Sequence, residues 1–176
     1  MFHLLQQFID IALWRKGPQD LPASATILVI SAAIYTATGF MQVRLMGYRV
    51  LSSCIVVLVD LGMTALMLGM VLSLMSKRAR WLQTLTALLG VGTLLGILDI
   101  VVRVVMLWSG VSAESPTWGL TRLLLLLVVV GHVYQQALES GLMVGMSLTL
   151  AIAILTESVT TVFVPLASQG APAGPG

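Results

Sequence analysis

The sequence predicts an all-α fold: a polytopic membrane bundle of about five transmembrane helices preceded by a short amphipathic N-terminal helix. Three observations carry this expectation. The 176 residues are 58% hydrophobic and only 9% charged, with a mean hydropathy of +1.02, whereas soluble domains hold about 25% charged residues. The apolar residues gather into runs that match the ~20 helical residues needed to cross a hydrocarbon core. Short stretches of Arg, Lys, Gly, Pro and Ser separate those runs, as connections between spans require.

The same composition narrows the function classes. A net charge of +2 arises from nine basic and seven acidic side chains, so the basic balance reflects scarcity of charge, and no basic stripe offers a surface for nucleic acid. The only cysteine, Cys54, rules out an internal disulfide, a CxxC redox pair or a cysteine zinc site. Its place beside Ser52, Ser53 and Ile55 reads as a small buried residue.

Residues Phe2 to Trp14 are too few to span. As a helix they put His3, Gln6, Gln7 and Asp10 on one stripe and Phe2, Leu5, Ile9, Ala12 and Leu13 on another, which suits an interfacial segment over residues 1–17. Gly17 and Pro18 end it. The transmembrane domain occupies residues 18–166, with spans at about 22–42, 50–75, 81–108, 116–138 and 141–164, and the Gly, Pro and Ala-rich stretch 167–176 is a flexible tail.

The first span carries Ser31, Tyr35, Thr38 and Gln42 at helical spacing, a mildly polar face of the kind that packs on other helices. The second holds Asp60, with Thr64 one turn on, and a row of Met63, Met67 and Met70. Copper(I) sites built on thioethers also recruit histidine or cysteine, so the methionines are packing residues and no metal is expected.

Lys77, Arg78 and Arg80 form the densest basic cluster and precede the third span, Trp81–Trp108. At ~1.5 Å per residue this span is roughly 42 Å long, more than the ~30 Å core. Gly92, Gly96, Asp99 and Arg103 follow one another at four, three and four residues, so all lie near one face. Small residues admit a neighbouring helix, which directs the charged pair into the bundle. The plainer reading is an intrahelical pair that only makes insertion tolerable.

A polar loop from Ser109 to Trp118 leads to the fourth span, for which Ser115 is a good N-cap and Pro116 a good first residue. This span holds Arg122 near its start and His132 near its far end. His132 reads either as part of a proton path or as an interfacial histidine hydrogen-bonded to its neighbours. In the fifth span Gly141, Gly145, Thr149, Ala153, Glu157 and Thr161 repeat every four residues, a second small-residue seam that leads to a carboxylate. Pro165 should close this helix.

Five spans place the chain ends on opposite sides of the membrane. With the N-terminus cytoplasmic, Arg15, Lys16, Lys77, Arg78 and Arg80 lie inside and only Arg44 and Arg49 outside, as the positive-inside rule prefers. Counted from the outer helix ends at ~1.5 Å per residue, Asp60, Asp99 and Glu157 sit roughly 11–15 Å deep, and Arg103 and Arg122 roughly 8–9 Å. The sequence thus predicts a charged layer contributed by four helices, pairing Asp99 with Arg103, and Asp60 or Glu157 with Arg122. Three acids against two bases leave one carboxylate without a fixed cation, free to take a proton or bind a cation. Otherwise the layer is a hydrogen-bonded network that fixes the helix arrangement.

The segments WRKGPQDLPAS and RWLQTLTALLG resemble a group of small proteobacterial inner-membrane proteins of unassigned activity. A short cytoplasmic leader followed by five spans is similar, more loosely, to the Yip family. These motifs cover less than a fifth of the chain. The resemblance implies a bacterial inner-membrane location and a scaffold or assembly role, and it supplies no catalytic residues.

The chain has no Walker A loop, HExxH, GxSxG or histidine pair at haem or metal spacing. No cofactor is therefore expected. The reading is a non-enzymatic scaffold or accessory subunit whose partners are the bilayer and other membrane subunits or a second copy. The alternative is a small proton or cation pathway through the intramembrane carboxylates.

Overall fold

The computed structural model describes residues 2–110 and 115–169. It contains α1 (Phe2–Ala12), α2 (Ala25–Leu45), α3 (Val50–Leu74), α4 (Trp81–Trp108), α5 (Pro116–Leu138) and α6 (Leu142–Gln169). Five of these are long and apolar enough to cross a membrane, so the all-α bundle behind a short N-terminal helix is the fold, and the chain is an integral membrane protein.

The ends of the helices follow local chemistry. Gly47 at φ 86° and Gly110 at φ 73° turn the chain out of α2 and α4 in the left-handed conformation that glycine adopts without a Cβ clash. Pro116 is the first residue of α5, where a missing N–H costs nothing. Inside the spans, hydroxyls bond to their own helix. Thr84, Thr86, Thr93 and Thr149 each donate to the carbonyl four residues back, at 2.7–2.9 Å. In hydrocarbon, where water cannot serve, this satisfies the side chain without breaking the helix.

The five long helices form a ring. α2 packs on α3, α3 on α6, α6 on α5, α5 on α4, and α4 back on α2. α4 also touches α3 and α1, and 56% of its apolar window is buried against 6% for α2. Its two tryptophans therefore differ. Trp81 turns inward and donates to the Ala65 carbonyl of α3 at 3.3 Å, beside Gly69, while Trp108 is 94% exposed. Leu68, Leu72, Leu85, Leu89, Val91 and Val133 fill the half of the ring nearer α1. This half is a closed apolar core.

α1 has two apolar faces where the sequence suggested one. Ile11 is fully buried, Phe8 packs on the core with its ring directly over Gly90, and Ala12 joins them. Leu5, Ile9 and Leu13 of the expected stripe point outward. The helix lies between the bundle on one side and its surroundings on the other, so each face needs apolar residues.

Other boundaries and contacts also differ from expectation. α2 starts at Ala25, because Pro18–Asp20 form a short 3-10 turn in which Asp20 accepts a hydrogen bond from the Gly17 N–H at 2.9 Å. α6 continues through Pro165 to Gln169 where the sequence expected an end; membrane helices tolerate an interior proline. Cys54 is exposed, facing a groove between α2 and α3 with Ala33, Ala37 and Phe40. Residues 111–114 of the Ser109–Trp118 loop and 170–176 of the expected tail lie outside the described residues.

Candidate functional site

Close helix packing makes the site possible. A Cβ built on Gly92 would stand 2.7 Å from the Tyr35 ring, and one on Gly96 would stand 2.9 Å from Thr38 and 3.2 Å from Gln42. Glycine at both positions lets α2 lie against α4 and carries Tyr35 and Gln42 into the interior. The second seam is narrower than its sequence repeat. Gly145 abuts the carbonyl oxygen of Gly131 on α5, whereas Gly141, just ahead of α6, has open space around it.

Asp99 is the centre of the site. It is 2% exposed, and both its oxygens are engaged. Oδ2 accepts from Arg103 Nε at 2.8 Å and from Gln42 Nε2 at 2.9 Å. Oδ1 accepts from Trp118 Nε1 at 3.0 Å and lies 3.7 Å from Arg122 Nε. Donors from α2, α4 and α5 thus converge on one carboxylate. Charged, multiply bonded acceptors of this kind are the form in which a buried acid is tolerated.

The Asp99–Arg103 pair stands where the sequence put it. Arg122 does not pair with Asp60 or Glu157 as expected. Its ion pair is with Asp99, because one turn of α5 lifts it toward the same carboxylate that Trp118 reaches. It lines the same cavity as Asp60. Asp60 itself accepts a hydrogen bond from the Tyr35 hydroxyl. Glu157, on α6, is exposed and has no ion pair or hydrogen bond among the described residues.

The three acids border one space. A cavity of about 350 Å³ is lined from all five long helices, including Tyr35 and Gln42 of α2, Asp60 of α3, Asp99 of α4, Arg122 of α5 and Glu157 of α6. It adjoins a wider vestibule of about 910 Å³ at the end holding the α2–α3 loop and the start of α5. Tyr48, Trp118, Arg122 and Glu157 line both, and Arg103 lines the vestibule. The pocket opens away from α1 and ends against the apolar core.

His132 takes no part in it. The ring is buried, stacked on Trp14 with centroids 4.6 Å apart and an 8° tilt, and neither nitrogen has a hydrogen-bond partner among the described residues. The expectation of a hydrogen-bonded interfacial histidine gives way to packing, because α1 folds back over the end of α5. The loops at that end are tied by Glu139, which accepts from Lys77 at 2.8 Å and pairs with Arg80 at 2.6 Å. These two cations hold its carboxyl below the usual glutamate range.

Three contributors were not singled out from the sequence. Tyr35 and Gln42 stood on the polar face of the first span, so helical spacing contained the signal without the partner. Trp118 stood where the expected loop meets the fourth span, and its position in the first turn of α5 brings its indole N–H to Asp99. Against protein-family models, curated proteins and solved structures, the chain finds no match.

Proposed function

We propose that this is a non-enzymatic protein of the bacterial inner membrane, acting as a scaffold or accessory subunit of a membrane complex, with its charged layer locking the helix ring. The observation that carries this reading is the engagement of Asp99: both oxygens accept hydrogen bonds, from donors on three helices, and Arg122 stands at ion-pair distance. A catalytic acid or a mobile proton carrier needs an unoccupied face. The closed apolar core beneath the cavity favours the same reading over a through-path. A cytoplasmic N-terminus is supported by Arg15, Lys16, Lys77, Arg78 and Arg80 gathering at the α1 end, and the inner-membrane location by the resemblance of WRKGPQDLPAS and RWLQTLTALLG. Mild-detergent purification of the tagged chain from native membranes tests the proposal. A stoichiometric membrane partner is expected, and a lone monomer across several detergents would overturn it.

The second reading, a proton or cation site, rests on Asp60 and Glu157. Both border the cavity, and neither has an arginine within ion-pair distance among the described residues. Proteoliposome flux that disappears in Glu157→Gln would favour it, and absence of flux from a folded protein would remove it.

A further inference from the structure

We propose that the cavity binds a primary ammonium group, carried either by a small soluble amine or by the amine headgroup of a lipid. This inference rests on the second reading, for which it names the cation class the Asp60 and Glu157 site takes, and it requires neither a partner subunit nor flux.

The argument starts from charge. Asp60, Asp99 and Glu157 border the cavity and its vestibule, against Arg103 and Arg122. Three negative groups and two positive ones leave an excess of one negative charge in a region of low dielectric, where uncompensated charge is costly. Asp99 cannot be the group in deficit, because both arginines and two neutral donors already face it. The deficit falls on Asp60, which has one donor in Tyr35, and on Glu157, which has none among the described residues. One monocation between them balances the site.

The chemistry of the wall selects among cations. Among the described residues, no three acidic, cysteine or histidine side chains converge as metal ligands do, and a hard metal ion needs six or more oxygens at ~2.0–2.6 Å. The carboxylates instead stand on different helices around a space of about 350 Å³, at the lower end of the ~300–1,000 Å³ range of small-molecule sites. Tyr35, Tyr48 and Trp118 also line it, and aromatic faces attract ammonium ions. The free acceptors are carboxylate oxygens, which require N–H donors. A primary amine supplies three, a quaternary one none. An anion is disfavoured because the arginines that would hold it are engaged by Asp99.

The vestibule at the loop end admits either source of the amine. The experiment separates them. The full chain is placed in nanodiscs of pure phosphatidylglycerol and titrated with radiolabelled ethanolamine and, in parallel, labelled choline. In a second arm the chain is extracted from mixed phosphatidylethanolamine, phosphatidylcholine and phosphatidylglycerol membranes, and its retained lipids are identified by native mass spectrometry. Saturable binding of one ethanolamine per chain, at least tenfold tighter than choline, identifies a soluble amine. Retention of one phosphatidylethanolamine in preference to the other two lipids, without ethanolamine binding, identifies a headgroup. Glu157→Gln is the first variant, since among the described residues its side chain has no partner whose loss would unfold the chain. It should weaken binding at least tenfold, and Asp60→Asn should do the same. The proposal is overturned if folded protein shows neither saturable ethanolamine binding nor phosphatidylethanolamine preference, if choline binds as well as ethanolamine, or if Glu157→Gln binds like the parent. Sodium binding with no amine binding would also overturn it, while leaving the cation-site reading in place.

Discussion

Replacing Asp99 by asparagine changes a single atom type and sets four donors against an amide. Asparagine keeps one acceptor oxygen and presents an NH₂ group on the other side. Turned one way, the NH₂ meets Gln42 and Arg103. Turned the other, it meets Trp118 and Arg122. The second orientation is cheaper because it keeps the two shorter bonds, at 2.8 and 2.9 Å. It still strands the Trp118 N–H, at about 1–3 kcal/mol for a buried unsatisfied donor, and removes the counter-charge of two arginines. Breaking a buried ion pair from one side costs about 3–5 kcal/mol in total, and the two effects overlap rather than add. For a chain of this size, at roughly 2–4 °C per kcal/mol, the melting temperature in detergent should fall by roughly 6–20 °C. The assay is thermal unfolding at neutral pH, followed by circular dichroism. A fall of less than about 2 °C would refute the reasoning, because it is below what one lost bond of this kind produces.

Gly145→Ala should destabilise by about 1–3 kcal/mol, since its methyl would run into the Gly131 backbone and overpacking there has no flexible side chain to absorb it. Gly62→Ala, with open space at its Cβ, should instead be neutral or stabilise by up to about 1 kcal/mol, and equal effects in the same melting series would contradict the packing described for α5 and α6. His132→Phe should leave stability unchanged or raised, because the ring nitrogens bond nothing among the described residues and the stack on Trp14 needs only a flat ring. His132→Ala, which empties the space, should lower it by about 2–4 kcal/mol. The Glu139 contacts should depend on pH in one direction. Lys77 and Arg80 lower its pKa, so their contribution is complete above the ordinary glutamate pKa of about 4.3 and fades as pH falls through the lower folded value. The melting difference between the parent chain and Glu139→Gln should therefore hold from neutral pH to about pH 5 and close below the ordinary range. A difference that vanished near pH 6 would contradict the sign.

Local spacing made the third span the most legible part of the chain. Gly92, Gly96, Asp99 and Arg103 share a face by helical geometry alone, and the i,i+4 ion pair needs no tertiary information. Apolar length likewise indicated five crossings. What spacing could not supply was the partner across a helix interface. Arg122 had three acids at similar depth, and the choice of Asp99 depends on how α5 is rotated in the ring. Gly141 and Gly145 looked equivalent as a repeat, yet the helix begins between them and only Gly145 meets α5. Gly131, its actual partner, stood alone between the apolar run of residues 123–130 and His132 and gave no periodic signal. Cys54 was expected inside because cysteine usually is, but the groove between α2 and α3 leaves it at the surface. The inward face of α1 was hidden for a related reason: a short helix between a bundle and its surroundings is apolar on two sides, and one amphipathic stripe cannot describe it.

The convergence of three helices on Asp99 is tested most directly by a double-mutant cycle with Trp118, whose indole N–H crosses from α5 to α4. Trp118→Phe alone removes that donor and should lower stability by about 1–3 kcal/mol. Made together with Asp99→Asn, where the bond is already gone, Trp118→Phe should cost almost nothing further, giving a coupling energy of about 1 kcal/mol or more. If the two substitutions instead add to within about 0.3 kcal/mol, the residues do not meet and the account of the ring around Asp99 is wrong.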